Sequence, residues 1–179
     1  MVSLVLGGAR SGKSRFALGL GADCRRAVYI ATCRVEDPEM AARVARHRLE
    51  RSQNWTTVEE PLEIANCVAR HSGDRDFILI DCLTLWLSNF CWEHRQDPEP
   101  DVEAAALSEV ARLARVSTLA RIVLVTNEVG CGIVPETPVG RFFRDLHGRV
   151  NQESARLADQ VFHLVAGIPV EIKRPERSR

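Results

Sequence analysis

Lysine is nearly missing from this chain. It occurs only as Lys13 and Lys173, and the rest of the 24 Lys+Arg residues are arginine. An equal number of acidic residues, 24, brings the formal net charge to zero. The strongly basic footprint of a nucleic-acid-binding protein is therefore absent. No apolar run approaches the ~20 residues that span a bilayer, so no transmembrane segment is expected. The opening Met1-Val2-Ser3-Leu4 has no basic n-region and leads directly into a Gly-rich loop, which reads as a strand rather than a signal peptide. The six cysteines, at positions 24, 33, 67, 82, 91 and 131, form no Cys-x-x-Cys pair and no set with zinc spacing. They read as reduced, mostly buried thiols, and the expected location is cytoplasmic.

What is present is ordinary for a globular protein. Hydrophobic residues make up 45% and charged residues 27%, which excludes a disordered, collagenous or coiled-coil chain. At 179 residues one domain is the default. It is expected to span 1–173, with 174–179 as a disordered polar tail. No internal repeat is visible.

Apolar strand-like runs alternate with helical stretches, the pattern of an α/β fold with a largely parallel sheet. Strands are expected at 2–6, 27–31, 55–58, 77–80 and 121–126. Helices are expected at 13–20, 37–51, 61–71, 83–92, 101–118 and 139–159. Asp37-Pro38 would start the second helix as cap and first helical residue. The Pro-containing stretch 94–101 reads as a flexible loop, and 127–140 as an ordered loop. Two last strands, 160–166 and 169–173, separated by Gly167, read as an antiparallel hairpin at the sheet edge.

The sharpest motif is Gly7-Gly8-Ala9-Arg10-Ser11-Gly12-Lys13-Ser14, which fits G-x-x-x-x-G-K-[ST] between a strand and a helix. Glycines let the backbone curl so that its N–H groups face phosphate oxygens, and the following helix adds its positive end. Lys13 would reach the β- and γ-phosphates, and the Ser14 hydroxyl would ligate Mg²⁺. A ligand-free turn does not explain a lysine followed by serine at this offset. Asp81 closes the apolar run Phe77-Ile78-Leu79-Ile80. It is the candidate second metal-holding residue, the plainer alternative being a cap for the next helix.

Met40, Val44 and His47 share one face of the 37–51 helix. Periodicity alone makes His47 the edge of a packed stripe. Arg46, Arg48 and Arg51 surround it, and clustered arginine suits phosphate binding. A neutral imidazole can also act as a nucleophile at phosphorus. From the residues alone the reading is a P-loop enzyme, with a kinase among the candidates, and a suggestive histidine.

Further segments carry a resemblance. They are Tyr29-Ile30-Ala31-Thr32, Asp37-x-Glu39-Met40-x-x-Arg43, His47-Arg48, Trp55-x-Thr57-x-Glu59 and Asp81-Cys82-Leu83-Thr84-Leu85-Trp86-Leu87. Asn127-Glu128-Val129-Gly130-x-Gly132-Ile133-Val134-Pro135 and Phe143-Arg144-Asp145-x-x-Gly148-Arg149-x-Asn151-Gln152 complete the set. With the opening loop, these resemble the bifunctional adenosylcobinamide kinase / adenosylcobinamide-phosphate guanylyltransferases of cobalamin biosynthesis, over almost the whole chain.

The resemblance implies a P-loop NTPase-like three-layer α/β sandwich with a mostly parallel sheet. It implies that ATP or GTP phosphorylates the aminopropanol hydroxyl of adenosylcobinamide. GTP would then give GMP to adenosylcobinamide phosphate through a histidine–GMP phosphoramidate, here at His47. Nucleotide contacts would carry over to the 7–14 loop, to Ala31, Thr32 and Cys33, to Arg48, Leu49, Glu50 and Arg51, and to Glu59 and Asp81. Mg²⁺ would be held by Ser14 and Asp81, and the assembly would be a homotrimer. Glu50 and Ser52 depart from the usual pattern in the basic run.

Thr126, Asn127 and Glu128 end a strand where ligands sit in such sheets. They are equally open to a substrate role or a structural turn. Arg141, Arg144 and Arg149 read as a solvated or intersubunit face, the alternative being ligands for phosphate. Trp86 and Trp92 read as core or interface. His71, His94, His147 and His163 read as unclustered structural or surface residues. Two other functions remain: a small-molecule kinase in which His47 is structural, and a nucleotide-binding regulatory module.

Overall fold

The computed structural model describes residues 1–34, 54–116 and 118–175. The expected helix at 37–51 and the end of the tail lie outside them. Among the described residues seven strands form one sheet: β1 (Val2–Gly7), β2 (Ala27–Ala31), β3 (Trp55–Glu59), β4 (Phe77–Asp81), β5 (Arg121–Val125), β6 (Gln160–Val165) and β7 (Ile168–Lys173). Their order is β3-β2-β4-β5-β1-β6-β7. Every pairing is parallel except β6 with β7. The described helices are α1 (Lys13–Gly19), α2 (Ile64–His71), α3 (Leu83–Glu93), α4 (Glu99–Arg115) and α5 (Pro138–Leu157), with a 3-10 turn at Val129–Cys131.

The sheet is covered on both faces, which is why its central strands read as unbroken apolar runs. Side chains alternate across a strand. Leu4, Ile30, Ile78, Ile80, Ile122 and Leu124 face a core that includes Ile64 of α2, Leu83 and Trp86 of α3, Val102 of α4 and Leu146 of α5. Val5, Tyr29, Leu79, Val123 and Val125 face the other way, onto a smaller core with Ala17 of α1. Trp86 is fully buried, and its indole N–H donates to the Leu62 carbonyl at 2.9 Å.

Most expected elements are present, with three differences. The 94–101 loop is shorter than expected, because α4 already begins at Glu99. Pro98 precedes that helix and Pro100 falls in its first turn, where the missing N–H is not needed. Residues 61–63 are not helical; instead the Glu60 carboxylate accepts from the backbone N–H groups of Leu62 and Glu63. Only Cys67 and Cys82 are buried; Cys24, Cys33 and Cys91 are half-buried and Cys131 is exposed. Cys24 and Cys91 pack against the two cores without being closed off from solvent, and Cys131 ends the exposed 3-10 turn, so the expectation of mostly buried cysteines is corrected.

Candidate active site

Strand registry lines up the site. Glu59 pairs with Ala31, Ala31 with Asp81, Asp81 with Val125 and Val125 with Val5. The row lies at the carboxyl ends of the parallel strands, where open α/β sheets bind ligands. The loop from Gly7 to Ser14 leaves β1 two residues beyond Val5.

The loop curls through backbone angles that side chains resist. Gly7 and Gly12 have φ of 150° and 94°, and Arg10 sits at 56°. The Ser11 N–H donates to the Gly8 carbonyl at 3.3 Å. Lys13 is buried. Its ammonium donates to the Gly8 carbonyl at 2.5 Å and to Ser11 Oγ at 3.5 Å. Burial pushes the Lys13 ammonium below its ordinary pKa, and the negative charge of Asp81 pulls against that shift.

The turn of the β6–β7 hairpin backs the loop. The Gly167 N–H donates to the Ser11 carbonyl at 2.9 Å. A Cβ on Gly12 would sit 3.2 Å from Gly167 Cα, and one on Gly7 would sit 2.5 Å from the Leu164 carbonyl oxygen. Nothing in the sequence motif announces this contact, because the hairpin lies far away along the chain.

Asp81 Oδ2 accepts from the hydroxyl of Tyr29 at 2.9 Å, which orients the carboxylate. Tyr29 is the chain's single tyrosine, and its role was not legible from the sequence. Thr32 is fully buried. Its hydroxyl donates to the Cys82 carbonyl and accepts from the Cys82 N–H, both at 2.8 Å. Asn89 donates to the Thr32 carbonyl at 2.7 Å. Thr32 thus ties the end of β2 to the start of α3, while Ala31 and Cys33 flank it at the same edge. His47, Arg48, Leu49, Glu50 and Arg51 lie outside the described residues.

A second polar cluster lies behind the end of β5. Thr84 Oγ1 accepts from the backbone N–H and the side-chain amide of Asn127, both at 3.0 Å. It also lies 3.0 Å from His147 Nε2. Thr84 Oγ1 and the imidazole share one hydrogen bond through Nε2, and the other ring nitrogen is Nδ1. That Nδ1 is buried without a hydrogen-bond partner. Thr126 donates to Asn151 Oδ1 at 2.7 Å, and Asn151 donates to the Asn127 carbonyl at 2.9 Å. Burial lowers the His147 pKa from 6.5 to about 4. The reading of His147 as unclustered is therefore corrected: it is a neutral, buried member of a network.

The arginines of α5 have partners in their own chain. Arg141 donates to the carbonyls of Pro135 and Glu136, Arg144 pairs with Asp145, and Arg149 pairs with Glu103. Trp86 is core, whereas Trp92 is exposed and lies under Arg95.

Among the described residues no group of three or more His, Cys, Asp or Glu is placed to hold a metal. The oxygen donors Ser14 and Asp81 suit a hard cation that keeps water and substrate phosphate in its shell, as Mg²⁺ does. No helix among the described residues is long and apolar enough to cross a membrane.

A Gly-rich loop that closes on a buried lysine beside β1, with a carboxylate at the end of β4, one strand removed from β1, defines a P-loop nucleotide-binding protein. Solved structures agree on the fold. A type III secretion system ATPase of pathogenic bacteria aligns over 92% of this chain and 51% of its own, with TM-score 0.59 and 11% identity. The ATPase EscN of enteropathogenic E. coli aligns over 92% and 43%, with TM-score 0.60 and 13% identity.

Sequence comparison narrows the class. Residues 3–172 match the cobinamide kinase / cobinamide phosphate guanyltransferase family. The bifunctional adenosylcobalamin biosynthesis protein CobU of Escherichia coli is 41% identical over 97% of this chain and 100% of its own length. The protein of the same name from Salmonella typhimurium is 42% identical over the same shares. The chain belongs to this family of bifunctional kinases and guanylyltransferases.

Proposed function

We propose that the chain catalyses two successive transfers. ATP or GTP phosphorylates the aminopropanol hydroxyl of adenosylcobinamide. GTP then gives its GMP to adenosylcobinamide phosphate by way of a GMP–His47 phosphoramidate, and adenosylcobinamide-GDP and pyrophosphate leave. The observation that supports this most strongly is the row at the carboxyl edge, which brings the 7–14 loop, Asp81, Ala31 and Glu59 to one edge of the sheet. Both steps are displacements at phosphorus, which depend on positioning and charge neutralisation more than on covalent chemistry by the protein.

Lys13 and the loop N–H groups would bind the phosphates, and Arg48 and Arg51 would add charge beside His47. Ser14 and Asp81 would hold Mg²⁺, which when bound would neutralise phosphate charge. Tyr29 keeps the Asp81 carboxylate oriented for that role. A histidine intermediate divides a transfer between two bulky anions into two in-line steps.

The enzyme is proposed to act as a single domain over 1–173, in the cytoplasm and as a homotrimer. The exposed apolar residues Ile168, Val170 and Ile172 along the edge strand β7 support an oligomer.

The test uses GTP labelled at the α-phosphate. Protein incubated with it and Mg²⁺, then denatured, is expected to carry acid-labile, alkali-stable label that is absent from His47→Ala. Folded, GTP-binding protein without label would reduce the activity to that of a P-loop kinase.

A further inference from the structure

Strand order sets β5 between β1, which leads into the phosphate loop, and β4, which ends in Asp81. Val125 pairs with Val5 on one side and with Asp81 on the other. The segment leaving β5 therefore opens between the loop and the metal-holding carboxylate. Three residues beyond Val125 is Glu128, whose N–H donates to the Gly7 carbonyl at 3.2 Å.

Several acids of the helical layer and the hairpin have guanidinium partners: Glu103 with Arg149, Glu109 with Arg112, Glu153 with Arg156 and Glu171 with Arg174. Glu128 forms no ion pair among the described residues, and its carboxylate lies only near the Cys131 thiol, at 3.8 Å. A carboxylate with no ion pair among the described residues, beside a site for several phosphate charges, opposes nucleotide binding. The segment that carries it is nonetheless held firmly. Thr84 grips Asn127 at two donors, His147 fixes the Thr84 hydroxyl, and Asn151 grips the Asn127 carbonyl.

We propose that Glu128 is the proton acceptor of the phosphoryl-transfer step, and that Thr84, His147 and Asn151 are positioning residues that hold it at the mouth of the phosphate loop. This rests on the kinase reading above. The acceptor hydroxyl oxygen bonds to the γ-phosphorus. The bond from that phosphorus to the β–γ bridging oxygen breaks, and its electron pair leaves on the nucleoside diphosphate. The hydroxyl proton passes to a Glu128 Oε.

The two activities of the family make different demands here. A hydroxyl must lose a proton to become the nucleophile. A neutral imidazole and a phosphate oxyanion attack through lone pairs they already hold. Glu128 therefore serves the kinase step and not guanylyl transfer.

The experiment measures both reactions on one protein preparation: phosphorylation of adenosylcobinamide, and GMP transfer to supplied adenosylcobinamide phosphate. Glu128→Gln is expected to lower kcat for phosphorylation about 100-fold, with KM little changed and GMP transfer retained. Thr84→Val is expected to lower the same kcat about 10-fold, and Thr84→Ser to restore it. Equal loss of both reactions in Glu128→Gln would make the residue a support for the loop and overturn the proposal. A raised KM at constant kcat, or no change, would overturn it too. Wild-type protein that transfers GMP but phosphorylates no adenosylcobinamide would remove the kinase reading itself, and the proposal with it.

Discussion

Two buried side chains illustrate how neighbours set a residue's chemistry. Tyr29 holds one oxygen of Asp81, which turns a strand-end acid into an oriented donor. His147 is almost wholly buried and meets hydroxyls rather than charges, so burial drops its pKa from 6.5 to about 4. The unfolded chain binds this proton between those two values and the folded chain does not. Stability from this site is therefore fully present above pH 6.5 and is lost as pH falls towards 4, by roughly 3 kcal/mol across the window. Urea unfolding from pH 7 to pH 4.5, compared with His147→Phe, is expected to show the wild type losing stability faster on acidification. Parallel curves would show that His147 titrates alike in both states.

At the scale of elements, the phosphate loop rests on the β6–β7 hairpin. Gly7 and Gly8 are adjacent glycines of one loop. Space separates them: a Cβ on Gly7 would meet the Leu164 carbonyl at 2.5 Å, whereas nothing lies within 4 Å of one on Gly8. Gly7→Ala is expected to destabilise the fold by about 1–3 kcal/mol and Gly8→Ala by well under 1 kcal/mol, read from urea midpoints. Equal effects would mean that the hairpin yields. The loop itself was legible in the sequence, because its glycines, lysine and serine are local requirements of one strand–turn–helix unit. Its support was not, because Leu164 and Gly167 reach it only through the pairing of β6 with β1.

Over the whole molecule, one sheet runs from the first strand to the last, with β1 near its centre and β3 and β7 at its edges. On the β7 edge, Pro169 offers no N–H for further pairing, while Ile168 and Ile172 are 65% and 60% exposed. If a second copy covers this face, Ile168→Glu with Ile172→Glu is expected to lower the mass measured by light scattering while leaving the circular dichroism unchanged. An unchanged mass would place the contact elsewhere.

Period and punctuation alone determined most of the elements. Short apolar runs made the central parallel strands, and the motif made the loop. Gly167 between two apolar segments made the hairpin, because each of these depends on interactions within a few residues. The order of the strands, and with it the placing of β5 between the loop and Asp81, was decided only by tertiary packing. So were the grip of Tyr29 on Asp81 and the network around His147. Each joins residues distant in the chain, Tyr29 with Asp81 at a separation of 52 and Thr84 with His147 at 63. Only burial of the two sheet faces against their helices brings such groups within hydrogen-bond range.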